Sequence, residues 1–279
     1  MTTFEASTST QPAGAALVTG GGSGIGLACA QRLASAGMAV TICGRSEERL
    51  VTALESLPAG SRHVVADITD EAAMGEAMDR AVEGHGSLAA VVANAGGAYA
   101  VGPLAMVDVA DFERELHVNV TGTFVTIKAA APHLARAGGG AIVAVSSIAA
   151  ILTHPLMAAY STSKAALDML VRNAADELGR FGVRVNGVRP GLVPTDASDP
   201  LASHDATRDD YLAQMPLGRV GTVDDIADAV QFLVGSRSSW VTGQVLSVDG
   251  GHSLRRGPNL DSLVGRHFEA ALNERLLGG

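Results

Sequence analysis

The sequence predicts an α/β protein in which parallel β-strands alternate with α-helices, and three observations support this prediction. Seven short runs rich in Val, Ile and Ala lack polar alternation, which is typical of strands buried on both faces of a parallel sheet. Longer segments with helical periodicity separate these runs, so the repeating unit is strand, helix, strand. No linker rich in Pro, Gly or Ser divides the series, which indicates a single domain.

The boundaries of the elements follow from the ends of the apolar runs and of the helical periodicity. The strands are predicted at residues 15–19, 39–43, 63–66, 89–93, 141–146, 184–188 and 245–248. The helices are predicted at residues 25–35, 47–57, 71–83, 112–137, 158–181 and 223–234. The domain is expected to span residues 13–252, after a flexible tail over residues 1–12 that is rich in Ser and Thr.

Two segments depart from this alternation. Residues 191–216 form a Pro-interrupted connection, and connections longer than about 15 residues are uncommon unless they are functional lids or disordered. We expect this segment to lie where a ligand binds. Residues 253–279 form a C-terminal extension that is predicted to be helical and to help an oligomer form, because its apolar residues share one helix face. These residues are Leu260, Leu263, Val264, His267, Phe268, Ala271, Leu272 and Leu276.

Composition and charge exclude several classes of protein. With 47% hydrophobic and 18% charged residues, the chain is expected to be globular rather than disordered or fibrous. The apolar runs have strand length, well below the roughly 20 residues that cross a bilayer, so no membrane segment is predicted. A net charge of -9 disfavours nucleic acid, which requires a basic surface. Cys29 and Cys43 are interpreted as small buried side chains without a disulfide, which favours a reducing cytoplasm.

A glycine-rich turn follows the first strand and opens the next helix, with the sequence Thr19-Gly20-Gly21-Gly22-Ser23-Gly24-Ile25-Gly26. Glycine lets the backbone approach a ligand closely, and the free N–H groups of a helix N-terminus attract a pyrophosphate. A glycine cluster alone also serves ordinary tight turns. The position between a buried strand and a helix therefore favours a dinucleotide-binding loop.

The spacing Thr-Gly-x-x-x-Gly-x-Gly resembles that of the short-chain dehydrogenase/reductase family, and later motifs match the same family in order. Asn94-Ala95-Gly96 follows the fourth strand, Asn119 lies in the next helix, and Ser147 closes the fifth strand. Tyr160-Ser161-Thr162-Ser163-Lys164 opens the following helix. The pattern continues with Asn186, Pro190, Gly191 and Thr195 and ends with Asp249-Gly250-Gly251. The resemblance implies a doubly wound Rossmann-type sheet of seven parallel strands, in the order 3-2-1-4-5-6-7, with helices on both faces.

The chemical properties and spacing of these residues agree with the roles that the resemblance implies. Tyr160 and Lys164 are four residues apart, so they share one helix face. A neighbouring ammonium and an oxidised nicotinamide both favour phenolate, so Tyr160 is predicted to exchange a proton with an alkoxide or alcohol. The Ser147 hydroxyl is predicted to hold the reacting oxygen. The resemblance implies that Lys164 binds the nicotinamide ribose and that Asn119 holds a water in a proton relay.

Some of these polar residues have a structural alternative. Asn94 and Asn119 could instead satisfy backbone groups where the sheet opens, and Thr19 could only brace the loop. Asp67 resembles the family residue that hydrogen-bonds adenine, whereas Asp70 or Thr69 is interpreted as a helix cap. The resemblance adds a last group of predicted cofactor contacts: Ile68, Asn94, Ala95, Gly96, Tyr160, Lys164, Pro190, Gly191, Val193 and Thr195.

The end of the second strand suggests which dinucleotide binds. Arg45 follows that strand and no carboxylate ends it, so NADP(H) is favoured over NAD(H), because guanidinium pairs well with a 2′-phosphate. NAD(H) stays open, since an Arg can also stack on adenine, and Ser23 stands where NADP-using relatives often have a second basic residue. No His or Cys spacing is typical of a metal site, so no catalytic metal is predicted.

The expected reaction interconverts a secondary alcohol and a ketone, on a lipophilic small molecule. The expected pocket residues are Gly97, Tyr99, Ala149, Leu152, His154, Met157, Leu192 and Val193. Arg208 or His154 could recognise a carboxylate, although such residues are more often solvated. Two alternatives stay open, a 3-oxoacyl-thioester reductase and a dinucleotide-binding regulator without turnover. Serine hydrolysis is disfavoured because no Gly-x-Ser-x-Gly motif is present. The resemblance also implies a homotetramer.

Overall fold

The computed structural model describes residues 14–255, 263 and 266–277. Within these residues, seven parallel strands form one sheet in the order β3-β2-β1-β4-β5-β6-β7, which confirms the predicted topology. The strands are β1 (Ala15–Thr19), β2 (Ala39–Gly44), β3 (Arg62–Val65), β4 (Leu88–Ala93), β5 (Gly140–Val145), β6 (Val183–Pro190) and β7 (Val245–Val248). The predicted tail over residues 1–12 lies outside the described residues.

Helices cover both faces of this sheet, also as predicted. They are α1 (Gly24–Ser35), α2 (Glu47–Leu54), α3 (Glu71–Val82), α4 (Val109–Leu116), α5 (Gly122–Arg136), α6 (Ala158–Leu178), α7 (Asp199–Ala202), α8 (Asp205–Gln214), α9 (Val223–Val234) and α10 (Arg266–Leu277). Successive side chains of a strand point to opposite faces. In β1, Ala16 and Val18 join the core beneath α1 and α9, whereas Ala15 and Leu17 join the core beneath α3, α5 and α6. Burial on both faces explains why the strand runs are continuously apolar.

The helix predicted over residues 112–137 is present, but it begins at Val109 and is not a uniform α-helix. It consists of α4, a π-helical turn at His117–Thr121 and α5 without a break. A π-helical turn contains about one more residue than an α-helical turn. The hydrophobic periodicity does not reveal this residue, because the apolar face continues in α4 and in α5. π-helical turns occur frequently at functional sites, and this one contains the buried Asn119.

The long connection after β6 is folded rather than irregular. It contains the short helices α7 and α8, and Tyr211 and Met215 pack with Leu192 in a small separate core. The other predicted boundaries lie within three residues of the observed ones; the largest differences include the ends of α2 at Leu54 and of α6 at Leu178. Both cysteines are free and buried, as predicted, and burial raises the pKa of each thiol to about 12. None of the described helices is long and apolar enough to cross a membrane.

Candidate active site

A cavity of about 750 Å³ opens where the carboxyl ends of the central strands meet. In open parallel sheets, ligands bind at this edge, where the strand order reverses. Here the reversal lies between β1 and β4, which are neighbours in the sheet although β2 and β3 separate them in the chain. The cavity wall contains residues that follow β1, β2, β3, β4, β5 and β6, together with the first turns of α6.

The glycine turn forms one end of this cavity. Gly20 adopts φ +64°, a backbone conformation that residues other than glycine rarely adopt. A Cβ on Gly26 would lie 2.2 Å from the Gly20 carbonyl oxygen, so only glycine allows α1 to start this close to the turn. The result is a backbone cradle in front of the N-terminus of α1, which suits a pyrophosphate.

Thr19 and Asn94 brace this turn from behind. The Thr19 hydroxyl accepts hydrogen bonds from the backbone N–H groups of Asn94 (3.0 Å) and Ala95 (3.1 Å). The Asn94 amide donates to the carbonyl oxygens of Thr19 (3.1 Å) and Gly20 (3.2 Å). These contacts agree with the structural alternative for both residues. Asn94 also lines the cavity, whereas Thr19 does not.

Two arginines line the cavity beyond the end of β2. Arg45 was predicted to contact the dinucleotide. Arg49, in the first turn of α2, was not predicted, because the sequence does not show that the fold brings it close to the glycine turn. The Cβ atom of Arg49 lies 3.4 Å from the ideal Cβ position of Gly22, and its guanidinium lies 3.7 Å from the Asp196 carboxylate. Two cationic side chains therefore line the cavity beyond the end of β2.

Asp67 and Asp70 follow β3 and make different contacts, and of their predicted roles the structure confirms the helix cap at Asp70. Asp67 lines the cavity, and its carboxylate accepts hydrogen bonds from the backbone N–H (2.9 Å) and hydroxyl (2.8 Å) of Thr69. The backbone hydrogen bond from Thr69 is the main cause that lowers the pKa of Asp67. Asp70 caps α3, because its carboxylate accepts from the N–H groups of Ala72 (2.9 Å) and Ala73 (3.0 Å).

Tyr160, Ser147 and Lys164 line the same cavity. Ser147 follows β5 and caps a short 3-10 turn, with its hydroxyl accepting from the backbone N–H of Ala149 at 3.1 Å. Tyr160 and Lys164 lie in the first two turns of α6 on the same face. The Lys164 Nζ lies 5.6 Å from the centre of the Tyr160 ring and donates a hydrogen bond to the Val145 carbonyl at 3.0 Å.

Burial has the largest effect on the pKa of Tyr160. Burial raises the pKa of the Tyr160 phenol, the hydrogen bond from Ser147 opposes this effect, and the charge of Glu115 adds to it. Burial also lowers the pKa of the neighbouring Lys164 ammonium, to about 8. The predicted acidic Tyr160 depends on this ammonium together with an oxidised nicotinamide, so the chain alone does not test it.

Asn119 lies behind the cavity wall, and a buried glutamate holds it there. Its amide nitrogen donates to Glu115 Oε1 (2.8 Å), to the Ser163 hydroxyl (2.9 Å) and to the Gly97 carbonyl (2.9 Å). Glu115 is fully buried, and its Oε2 also accepts from the backbone N–H groups of Tyr99 (2.6 Å) and Ala100 (3.1 Å). Burial raises the pKa of this carboxyl. Sequence reasoning missed Glu115, although its spacing of one helical turn from Asn119 was visible.

A second buried charge network supports the wall between β5, β6 and α6. The Arg189 Nε donates to the Asp168 carboxylate at 2.6 Å, and the Ser146 hydroxyl donates to the other carboxylate oxygen at 2.6 Å. Asp168 and Arg189 are 4% and 8% exposed. The charges of Glu115 and Asp168 both act to raise the pKa of Lys164, against the effect of burial.

The structure brings most of the predicted site residues to this one cavity. Of the predicted catalytic and cofactor residues, those that line it are Gly20, Gly22, Ser23, Gly24, Ile25, Arg45, Asp67, Ile68, Asn94, Ala95, Gly96, Ser147, Tyr160, Lys164, Pro190, Gly191, Val193 and Thr195. Thr19, Gly26 and Asn119 lie behind its wall. Of the expected pocket residues, Leu152 does not line the cavity. His154 is buried in its wall rather than solvated, whereas Arg208 pairs with Asp205 on the surface.

Comparisons with known proteins point to one family. The family model that matches residues 20–253 is described as enoyl-(acyl carrier protein) reductase. The chain is 39% identical over 240 residues to the cis-4-hydroxycyclohexanecarboxylate dehydrogenase of Sinomonas cyclohexanicum, covering 85% of this chain and 96% of that protein. A solved short-chain type dehydrogenase/reductase from Mycobacterium ulcerans is 44% identical, with a TM-score of 0.88, covering 91% of this chain and 94% of that one.

Two solved structures with bound ligands are also similar. One is a gluconate 5-dehydrogenase from Burkholderia cenocepacia J2315 in complex with NADP and tartrate, 33% identical with a TM-score of 0.80, covering 86% of this chain and 95% of that one. The other is a 7α-hydroxysteroid dehydrogenase complexed with NADH and 7-oxo glycochenodeoxycholic acid, 35% identical with a TM-score of 0.79, covering 85% and 92%. With this sheet order and glycine turn, the chain belongs to the short-chain dehydrogenase/reductase family of oxidoreductases.

Proposed function

We propose that this protein interconverts a secondary alcohol and a ketone with NADP(H), and that Tyr160 is its proton-transfer residue. The single observation that supports this most strongly is that Tyr160 and Ser147 line the same cavity as the glycine turn. The residues present fit a nicotinamide dinucleotide, because the close approach of Gly26 to Gly20 leaves an open backbone cradle at the start of α1. When bound, the dinucleotide supplies or accepts the hydride.

The chain's own groups handle the oxygen and its proton. Ser147 orients the reacting oxygen by a hydrogen bond, which stabilises the charge that develops there. Tyr160 donates its phenolic proton to that oxygen in reduction and accepts a proton from it in oxidation. Lys164, held by the Val145 carbonyl, binds the ribose next to the phenol. Asn119 holds a water in the proton relay, and its fixed side chain supports this role through the contacts with Glu115 and Ser163.

We infer that NADP(H) binds better than NAD(H), because the end of β2 offers cations. Arg45 and Arg49 line the cavity there, and Gly44 ends the strand where an NAD-preferring protein usually has a carboxylate. Guanidinium groups pair with phosphate through charge-assisted hydrogen bonds. Relatives with either dinucleotide share this fold, so the preference depends on these side chains.

Replacing Arg45 with alanine is expected to weaken NADPH binding about tenfold or more and to leave NADH binding nearly unchanged, because only the former loses a charged hydrogen bond. Dissociation constants from nicotinamide fluorescence for both dinucleotides measure this. Arg237→Ala, which removes an arginine outside the cavity wall, is the matched control. Equal affinity of the parent protein for NADPH and NADH would contradict the proposed preference.

The substrate part of the cavity supports a mainly lipophilic ketone or alcohol. Its wall includes the apolar side chains of Ala149, Met157, Leu192, Val193 and Leu201. A panel of ketones and secondary alcohols, followed by nicotinamide absorbance, tests the proposed reaction directly. Turnover of members of either class would support it. Tight binding of NADPH without turnover of any member would instead indicate a dinucleotide-binding regulator.

We also propose that the protein is a homotetramer and that the extension over residues 253–279 contributes to its assembly. Apolar side chains that are exposed in the single chain support association, among them Phe124 (48% exposed), Met169 (51%) and Trp240 (99%). Leu276 of α10 is 62% exposed.

Two free buried cysteines agree with a reducing, cytoplasmic setting, which we propose as the location.

A chain that ends at Arg256 is expected to form smaller assemblies than the full chain, because it lacks the exposed apolar residues of α10. Sedimentation of both chains at the same concentration measures their masses. The melting temperature of each chain shows whether the domain itself remains folded. If mass and substrate affinity are both unchanged by the truncation, the extension has no part in assembly.

A further inference from the structure

Two polar side chains in the cavity wall have no part in the reaction proposed above. His154 lies in the loop after β5 and is 6% exposed, and Tyr211 lies in α8 and is 4% exposed. Both line the cavity, and their ring centres are 6.5 Å apart. Neither residue was needed for the proton transfer or for the dinucleotide. A polar pair therefore lies in the wall that meets the substrate.

Each of these side chains has hydrogen-bonding capacity left over. The His154 Nδ1 lies 3.0 Å from the Leu152 carbonyl oxygen, which can only accept, so Nδ1 carries the proton and Nε2 of the neutral ring is an acceptor. The contacts of the two side chains in the described part of the chain are this hydrogen bond of Nδ1 and ring contacts, which leave Nε2 and the Tyr211 hydroxyl available. Because both residues line the cavity, this acceptor and this donor can meet a polar ligand there.

Both side chains are held in place by their surroundings. The Met157 N–H donates to the His154 carbonyl at 3.1 Å, and the Gly102 N–H donates to the Leu156 carbonyl at 2.8 Å. Leu156 adopts φ +68°, so this loop keeps a conformation that a residue with a side chain seldom adopts. Tyr211 packs edge-on against the His252 ring, with centres 5.3 Å apart. Recognition groups that are fixed before binding lose little entropy when a ligand arrives.

The pair also lies close to the reacting group. Tyr211, His154 and Tyr160 all line the same cavity. Burial first, and then the charge of Tyr160, raises the pKa of Tyr211. Burial is likewise the main cause that lowers the pKa of the His154 ring. The arginines of the cavity wall, Arg45 and Arg49, follow the end of β2 instead.

We infer that the substrate is a hydroxy ketone, or the corresponding diol, whose second hydroxyl bonds to both Tyr211 and His154. A hydroxyl is the group that matches both partners, because its oxygen accepts from the Tyr211 phenol while its proton is donated to Nε2 of His154. A second carbonyl or an ether could satisfy only Tyr211. This inference rests on the proposed function and names the substrate class for the same site.

Size-matched ketones test this inference. The 2-, 3- and 4-hydroxycyclohexanones are each compared with the methylcyclohexanone of the same substitution, with kcat/KM measured by nicotinamide absorbance. In the parent protein, at least one hydroxy ketone is expected to exceed its methyl partner by about tenfold or more, as two additional hydrogen bonds allow. Tyr211→Phe, which removes one oxygen, is expected to abolish most of this preference by slowing only the hydroxy ketone.

Two further variants complete the experiment. His154→Asn keeps a donor near the position of Nδ1 but lacks Nε2, so it is expected to reduce the preference in the same way. Ser203→Ala removes an exposed hydroxyl of the same connection outside the cavity wall and is expected to leave the preference unchanged. Turnover of the methyl ketones shows that each variant is folded and active.

The outcomes separate the two proposals. If the parent protein reduces both series equally, or if Tyr211→Phe slows both series equally, the inference of a hydroxy substrate is wrong while the oxidoreductase proposal stands. If neither series nor any ketone of the wider panel is reduced, the proposed function itself is wrong.

Discussion

Replacing Tyr160 with phenylalanine is expected to lower kcat about 10²–10⁴-fold in both directions, because the proton of the reacting oxygen then has no positioned donor or acceptor. The aromatic ring is kept, so the shape of the cavity should not change. NADPH binding is expected to weaken by no more than about fivefold, the effect of losing one ordinary hydrogen bond. Stopped-flow reduction of a ketone identified by the panel and fluorescence titration of NADPH measure the two effects.

Ser161→Ala is the matched control for this variant. Ser161 is the next residue of α6 and does not line the cavity, and its buried hydroxyl oxygen has no hydrogen-bond partner among the described residues. Removing it deletes a hydroxyl from the same helical turn and is expected to leave kcat unchanged. A Tyr160→Phe protein that binds NADPH and keeps the parent kcat would show that another group transfers the proton.

The Arg189→Met substitution is expected to lower the free energy of unfolding by about 3–5 kcal/mol, because it leaves the Asp168 carboxylate buried without its cation. Asp168 is 4% exposed, and without Arg189 its carboxylate keeps the hydrogen bond from the Ser146 hydroxyl. A loss of this size corresponds to a fall in melting temperature of roughly 10 °C for a domain of this length. Urea unfolding and thermal scans of parent and variant measure it.

Two control variants show whether the loss of stability comes from the burial of the charge or only from the loss of an ion pair. Arg32→Met breaks the exposed ion pairs with Asp224 (3.3 Å) and Asp228 (3.0 Å) and is expected to cost less than about 1 kcal/mol. The double change Asp168→Leu and Arg189→Met removes both buried charges and is expected to recover much of the lost stability. Equal losses for Arg189→Met and Arg32→Met would mean that the buried position of the pair does not matter.

The local sequence predicts the parts of this protein that depend on neighbours in the chain. Strand β1 and helix α9 have their predicted bounds, because an apolar run ends and helical periodicity begins within a few residues. The glycine turn was predicted for the same reason: Gly20 and Gly26 are close in sequence, and the strand and helix on either side identify it. Asp70 was predicted as a cap of α3 because capping is a contact within three residues.

The π-helical turn around Asn119 could not be predicted in this way. Its hydrogen bonds differ from those of an α-helix by one residue, and the apolar pattern of residues 112–137 is compatible with either. The effect of burial on Tyr160 could not be predicted either, because the sequence shows that Lys164 is near and says nothing about how deeply both side chains are buried. Burial turned out to be the largest influence on the pKa of both side chains.

The sequence by itself determined the order of strands and helices, the glycine turn and the residue types that can exchange a proton, since each depends on a short local pattern. Only the tertiary structure decided which distant side chains share an environment: Arg49 with the glycine turn, Asp168 with Arg189, and His154 with Tyr211. The physical reason is that burial and through-space contact arise when the sheet brings separate loops to one edge. No local periodicity records those distances.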